Sequence, residues 1–181
     1  MEFRQFDAND YDATRKKWLE ESVQYDCFPA EVEGKFDPVK AWLDGAGADE
    51  PHRTVHYGVF QPGQNIAVAH CEMVLSNKGS RAEKWLKLIK LTLSPEVDTL
   101  QLQEDMAAIQ TAVKAYRTAV LGSFAERAAH DADTLKIYGR NEEQLRLLIQ
   151  MMSLINEDQA AGLSATKEGR WLVLRCAAKQ E

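Results

Sequence analysis

The sequence has few cysteines and lacks the glycine-rich motifs that mark several enzyme classes. Its three cysteines, Cys27, Cys71 and Cys176, are odd in number and far apart, which favours reduced thiols over a disulfide framework. It contains no P-loop, no Gly-x-Gly-x-x-Gly, no Gly-x-Ser-x-Gly and no Cys-x-x-Cys motif. These absences argue against P-loop nucleotide hydrolysis, Rossmann-type dinucleotide binding and α/β-hydrolase chemistry.

Long apolar runs and an excess of positive charge are missing as well. No segment approaches the ~20 apolar residues of a membrane span, and the N-terminal Met-Glu-Phe-Arg-Gln-Phe has no signal-peptide pattern. The net charge of −6 disfavours a nucleic-acid backbone as partner, because that binding depends on Lys and Arg. We therefore expect a cytoplasmic protein with neither a membrane nor a nucleic acid as its partner.

What the sequence does have is the composition of an ordinary globular domain. Its 181 residues are 45% hydrophobic and 28% charged. A chain of this length buries about 70% of its unfolded surface and needs neither a disulfide nor a metal to fold. Because it shows no internal repeat and no low-complexity linker, we predict a single domain over residues 1–181.

Hydrophobic periodicity and turn residues predict an order of strands and helices along the chain. Residues 25–36 carry Pro29 and Gly34 and are predicted to be irregular, and Asp37-Pro38 is predicted to begin a helix. The predicted strands are residues 2–6, 54–60, 66–75, 85–93, 134–138, 161–166 and 170–176, and the predicted helices are residues 11–23, 37 to 45 or 47, 99–130 and one that begins after Asn141. This order predicts one α/β domain.

The fourth predicted strand has an unusual spacing of leucines. Leu86 and Leu88 share one parity, while Leu91 and Leu93 share the other. A strand with strict period two cannot place both pairs on one face, so one extra residue near Ile89, a β-bulge, would restore the register. A strand buried on both faces is the alternative.

Several local features accompany this order of elements. The fourth strand ends at Leu93-Ser94-Pro95, Asn141 begins a helix after the fifth strand, and the chain closes with a hairpin. Over nearly the whole chain, this pattern resembles the GNAT superfamily of acetyl-CoA-dependent N-acyltransferases, and small divergent members from short-tailed bacteriophages in particular. The resemblance implies an α/β (α+β) fold with a GNAT-like mixed, mostly antiparallel central sheet of about seven strands flanked by about four helices.

The resemblance also implies where an acyl cofactor would lie. The family separates its fourth and fifth strands at a bulge to admit acyl-CoA, which implies cofactor contacts from Ile89, Lys90, Leu91 and Asn141. Backbone N–H groups in this region would polarise the thioester carbonyl. Glu72, or a histidine, would be the base that deprotonates the acceptor amine, and Tyr138 would protonate the leaving thiolate. A strand-end tyrosine with a solvated hydroxyl is the alternative for Tyr138.

Two departures from the family pattern oppose this activity. The family binds the cofactor pyrophosphate with a Gln/Arg-x-x-Gly-x-Gly/Ala loop, where glycines let backbone N–H groups approach the anion. Residues 95–105 contain no glycine and no basic residue, and they carry Glu96, Asp98, Glu104 and Asp105. These four carboxylates would repel a pyrophosphate. The second departure is that the family's tyrosine seven residues after the helix-initiating Asn is replaced by Leu148.

Two histidines lie on the predicted hairpin strands. His56 and His70 face one another if the strands pair, and a general base or metal pair is conceivable. Histidines whose hydrogen bonds are satisfied within the sheet are the alternative, and we predict no metal site.

Two functions remain open at this point. The first is a GNAT-like protein with a degenerate CoA-binding loop, acting as a non-catalytic binding or structural component with a protein partner, in the cytoplasm or, if phage-encoded, in the virion. The second is an acetyl-CoA-dependent N-acetyltransferase that acts on an amine. Fold alone does not decide between them.

Overall fold

The computed structural model describes residues 1–46, 53–77, 84–99, 106–157 and 162–176. Short segments connect most of the elements. The strands are β1 (Glu2–Gln5), β2 (Thr54–Phe60), β3 (Ala67–Asn77), β4 (Lys84–Leu93), β5 (Thr134–Tyr138), β6 (Leu163–Glu168) and β7 (Trp171–Cys176), and the helices are α1 (Ala8–Gln24), α2 (Pro29–Leu43), α3 (Pro95–Thr99), α4 (Met106–Glu126) and α5 (Glu142–Glu157). No helix in these described ranges is long and apolar enough to cross a membrane.

The seven strands form one sheet in the order β1-β2-β3-β4-β5-β7-β6. All neighbours are antiparallel except β4 and β5, which are parallel. A parallel pair needs a long crossover, which the chain through α3 and α4 provides. The expected α/β fold with a mixed, mostly antiparallel sheet of seven strands is confirmed. Five helices are described instead of about four, because Pro95–Thr99 forms a short separate helix.

Helix α1 begins where its capping residues predict. The Asp7 side chain accepts a hydrogen bond from the backbone N–H of Asp10, and the Asp10 side chain accepts one from Asp7 in return. Arg4 on β1 forms a two-point ion pair with Asp10, which ties the strand to the helix. Trp18 donates from Nε1 to the Ala67 carbonyl at 2.9 Å. Together these bonds fix α1 across the start of β3.

The prediction that residues 25–36 are irregular holds for 25–28 but is wrong from Pro29 onward. Helix α2 begins at Pro29, the first helical position that proline favours, and Pro38 lies inside it instead of beginning it. An interior proline costs about 3 kcal/mol because it removes a hydrogen bond and strains the turn. Val32, Phe36 and Val39 are fully buried at helical spacing, and their burial against α1 and the sheet outweighs that cost.

Helix α4 covers the opposite face of the sheet. Its inward positions include Ala112, Ala115 and Ala119, all small and buried. Gly122 continues this face, and a Cβ built there would lie 2.3 Å from Cγ of Phe3. The helix ends at Glu126 and not at residue 130, and the predicted helical residues 100–105 lie outside the described residues. Small side chains therefore let α4 approach β1 closely.

A candidate acyl-carrier cleft at the β4–β5 junction

The predicted bulge in β4 is confirmed. Glu72 on β3 pairs with Lys90, and the next residue, Met73, pairs with Leu88, so Ile89 is the extra residue. This one-residue shift lets the later leucines of β4 follow the earlier ones onto the face covered by α4. Leu86 and Leu88 are buried, and Leu93 is nearly so. The structure does not support the alternative, which was a strand buried equally on both faces.

Strands β4 and β5 separate at the bulge, directly after Leu88. They pair from Trp85–Thr134 to Leu88–Ile137, and β4 then continues to Leu93 without a β5 partner. The opening is a wedge whose walls are the two strands and whose cover is α4 and α5. Lys90, Leu91 and Tyr138, three residues predicted at the site, line this cleft. The structure therefore brings part of the predicted site together.

The cleft is nearly filled by the protein's own side chains. Tyr116 from α4 and Gln144 from α5 meet across it, where Gln144 Nε2 donates to the Tyr116 hydroxyl at 3.3 Å. Burial raises the pKa of Tyr116. The remaining cavity is about 20 Å³, room for about one water. Binding pockets for cofactor-sized ligands are roughly 300–1,000 Å³. An acyl-pantetheine arm therefore does not fit this cleft unless Tyr116 and Gln144 move.

The described part of the segment after β4 is acidic. Glu96 and Asp98 lie in α3, and the Glu96 N–H points to Glu21 Oε2 of helix α1 at 3.3 Å. Glu21 is only 3% exposed, and burial raises the pKa of its carboxyl group. Lys17 lies 3.5 Å from its other oxygen. The Glu21 carboxylate therefore already accepts the hydrogen bond from the Glu96 N–H, a group that a cofactor phosphate would otherwise need.

The other predicted site residues have well-defined surroundings. Glu72 lies on β3 directly between His56 and Lys90 of the neighbouring strands. Tyr138 packs against Trp171, with ring centroids 4.9 Å apart. Acid–base roles for Glu72 and Tyr138 stay predictions.

Asn141 has a structural role that its type predicts. Its Oδ1 accepts a hydrogen bond from the Gln144 backbone N–H at 2.8 Å, which caps α5. The same residue, Gln144, extends its side chain to Tyr116. Capping therefore positions one half of the bridge that fills the cleft. Cofactor binding by Asn141 stays a prediction.

The two hairpin histidines form a buried pair. His56 Nδ1 and His70 Nε2 are 3.0 Å apart, and each residue is 1% exposed. Burial lowers the pKa of His56 to about 4, with a further contribution from the Lys90 ammonium. Burial, His56 and Lys90 lower the pKa of His70 well below its usual value. Both histidines are therefore neutral near pH 7.

The surroundings of this pair are aromatic. Phe36 stacks on His70 and Trp42 packs edge-on against His56. His70 Nδ1 has no hydrogen-bond partner among the described residues, so the alternative of fully satisfied strand histidines is only partly met. The described ranges contain no cluster of three or more His, Cys, Asp or Glu side chains that could hold a metal.

Sequence patterns did not predict a second polar group, which lies on the opposite face of β2 at Tyr57, the residue next to His56. The Tyr57 hydroxyl donates to Glu126 Oε2 at 2.9 Å and accepts from Gln5 Nε2 at 3.0 Å. Phe3 stacks on the Tyr57 ring at 4.9 Å. Burial raises the pKa of Tyr57, which keeps its hydroxyl protonated. These hydrogen bonds join residues 52 and 69 positions apart, so no local sequence pattern reports them.

A comparison with solved structures supports the fold. No protein-family model matches the chain, and no curated protein matches it in sequence. A solved structure described as a probable acetyltransferase matches with a TM-score of 0.52 at 12% sequence identity, over 83% of this chain and 88% of that one. At this identity the likeness shows the fold alone, which is GNAT-like.

Proposed function

We propose that this chain is a GNAT-like domain that acts as a non-catalytic binding or structural component of a protein complex. The observation that carries the proposal is the bridge between Tyr116 and Gln144, which occupies the space an acyl-pantetheine arm would need. The family resemblance implies a phage particle or a host-directed complex as the setting. A cytoplasmic complex is the alternative setting.

Charge at the start of α3 supports the same proposal. A pyrophosphate needs open N–H groups and a positive field. Here Glu21 accepts from the Glu96 N–H, and Glu96 and Asp98 add two further carboxylates. Displacing Glu21 would leave a buried carboxylate beside the incoming anion, which is costly at low effective dielectric.

A second candidate is an acetyl-CoA-dependent N-acetyltransferase acting on an amine. The observation that favours it is the bulge at Ile89 together with the separation of β4 from β5, the feature that the family uses to admit acyl-CoA. In this candidate, the backbone of Ile89, Lys90 and Leu91 would contact the cofactor and Glu72 would lie beside the bulge. In their present positions, the Tyr116 and Gln144 side chains leave no room in the cleft for the acyl-pantetheine arm of acetyl-CoA.

A titration with acetyl-CoA, followed by thermal unfolding, separates the two candidates. A true site saturated at about a hundredfold over Kd would add roughly 2.7 kcal/mol to the free energy of unfolding. We expect no shift at millimolar acetyl-CoA for the natural chain. A concentration-dependent rise, together with transfer of a labelled acetyl group to a panel of amines, would reject the non-catalytic proposal.

A pair of variants tests whether the bridge is what closes the cleft. Gln144→Ala removes the hydrogen bond to Tyr116, whereas Gln150→Ala changes an exposed residue on the same helix. If acetyl-CoA stabilises the Gln144→Ala variant but neither the natural chain nor the Gln150→Ala control, the bridge is the barrier. If it stabilises none of them, the electrostatic barrier at α3 is sufficient.

A further inference from the structure

Strands β4 to β7 carry a mixed basic and aromatic surface on the face opposite α4 and α5. Leu135 and Ile137 point into the core beneath those helices, so Lys136, which lies between them on β5, points to the other face. Helices α1 and α2 cover that face only over the earlier strands. No helix among the described elements covers the rest. We call this surface the basic face, formed by Trp85, Lys87, Lys136 and Arg175.

The charges on the basic face do not balance. Lys136 Nζ lies 3.2 Å from Glu168, and Arg175 lies 3.3 Å from the same carboxylate, so two cations share one anion. Lys87 Nζ bonds to the neutral Ser76 hydroxyl at 3.2 Å. The three cations and the single carboxylate of Glu168 therefore sum to two positive charges. The net charge of the whole chain, by contrast, is −6. A local surplus on an acidic molecule marks a place where an anionic partner is attracted.

The Trp85 ring holds the two lysines of this face in place. Lys136 Nζ lies 4.0 Å from the centroid of the Trp85 ring, and Lys87 Nζ lies 5.4 Å from it. Cation–π contacts of this kind fix ammonium groups that would otherwise be mobile. The lysines are thus positioned before a partner arrives, which lowers the entropy cost of binding.

We propose that the basic face binds an acidic peptide segment of a protein partner. This inference rests on the proposed function, because it names the chemistry of the partner that function requires. Carboxylates match the half-buried Lys87 and Arg175 side chains of this face, while Lys136, 13% exposed, adds its charge from beneath the surface. A nucleic acid is disfavoured, because an ammonium group already lies over the Trp85 ring where a base would stack and the net charge opposes a phosphate backbone.

Fluorescence anisotropy with a labelled oligo-glutamate peptide tests the proposal, with labelled oligothymidylate as a separate arm. We expect saturable binding of oligo-glutamate at low salt that weakens as NaCl is raised, since exposed charges are screened beyond ~10 Å at 0.1 M. Lys87→Glu should weaken it about tenfold. Lys114→Glu makes the same charge change on exposed α4, on the opposite side of the sheet, and should alter affinity by less than about twofold.

Several results would overturn the proposal. These are no saturable oligo-glutamate binding at low salt, equal weakening by both reversals, or tighter binding of oligothymidylate. If Lys87→Glu fails to fold by circular dichroism, Lys87→Gln takes its place with an expected loss of about threefold. The acetyl-CoA titration is a separate measurement, so loss of the basic-face proposal and loss of the non-catalytic proposal are distinguishable.

Discussion

The buried histidine pair makes stability depend on pH. The pKa values of His56 and His70 are lowered in the folded state from an unfolded value near 6.5, so the unfolded chain binds protons first as pH falls. The stability is therefore fully present above about pH 6.5. It falls below that pH, for His56 down to about pH 4 and for His70 as long as its folded-state pKa has not been reached, with a slope of roughly 1.4 kcal/mol per pH unit for each proton.

Urea unfolding at pH 7.5 and pH 5 measures this effect. The natural chain should lose a large share of its free energy of unfolding at the lower pH. A double variant, His56→Gln with His70→Gln, should lose clearly less between the two pH values, whatever its absolute stability. Parallel losses in both proteins would show that other groups control the pH response.

Gly122 is a second position where one residue controls packing. Gly122→Ala places a methyl group against the Phe3 ring, and the resulting overpacking should cost about 1–3 kcal/mol. Gly34→Ala, inside α2, meets no atom within 4 Å and should be neutral or stabilising by up to about 1 kcal/mol. Chemical denaturation of both variants checks the contrast, and equal effects would mean that α4 can shift away from β1.

At the scale of elements, the bulge decides the register of β4. Deleting Ile89 would shift the rest of the strand by one residue and exchange its two faces, so Leu91 and Leu93 would leave the core while Lys90 and Thr92 entered it. We expect a loss of several kcal/mol or no folding at all. Ile89→Val keeps the residue count and should cost less than about 1.5 kcal/mol. Comparable stability of the deletion would exclude the register argument.

The elements also show which structure the sequence could predict. The leucine parity of β4 located the bulge to within a residue, because a periodic core leaves a visible break where the period changes. The first half of helix α2, from Pro29 to Phe36, was missed for the opposite reason. Pro29 and Pro38 dominate the local signal there, while the burial of Val32 and Phe36 that stabilises the helix depends on α1 and the sheet.

The candidate site was only partly predictable for the same reason. Lys90, Leu91 and Tyr138 reach the cleft because they follow directly from strand order. The Tyr116–Gln144 bridge joins two helices whose residues are 28 positions apart, and no local pattern reports such a contact. The burial of His56 and His70 likewise depends on Phe36 and Trp42, which contact them from a separate element, helix α2, and no local pattern reports such contacts.

At the scale of the whole molecule, the sheet separates two hydrophobic clusters. One lies beneath α4 and α5, and the other joins α1 and α2 to Phe60 and Ala67. Strands β2 and β3 contribute to both, so we expect one cooperative unfolding transition, as a single domain requires. Tryptophan fluorescence and far-ultraviolet circular dichroism should report the same midpoint. An earlier fluorescence change would instead assign the α1–α2 layer its own transition.

The parallel junction between β4 and β5 has a mechanical consequence. Four residue pairs join β1–β4 to β5–β7, and the wedge beyond Leu88 adds no further ladder bonds between these halves. Parallel pairing is also slightly weaker per residue than antiparallel pairing. The β1–β2 and β5–β7 junctions also have four pairs each, but both are antiparallel. We therefore expect the β4–β5 junction to part first when the chain is pulled from its two ends.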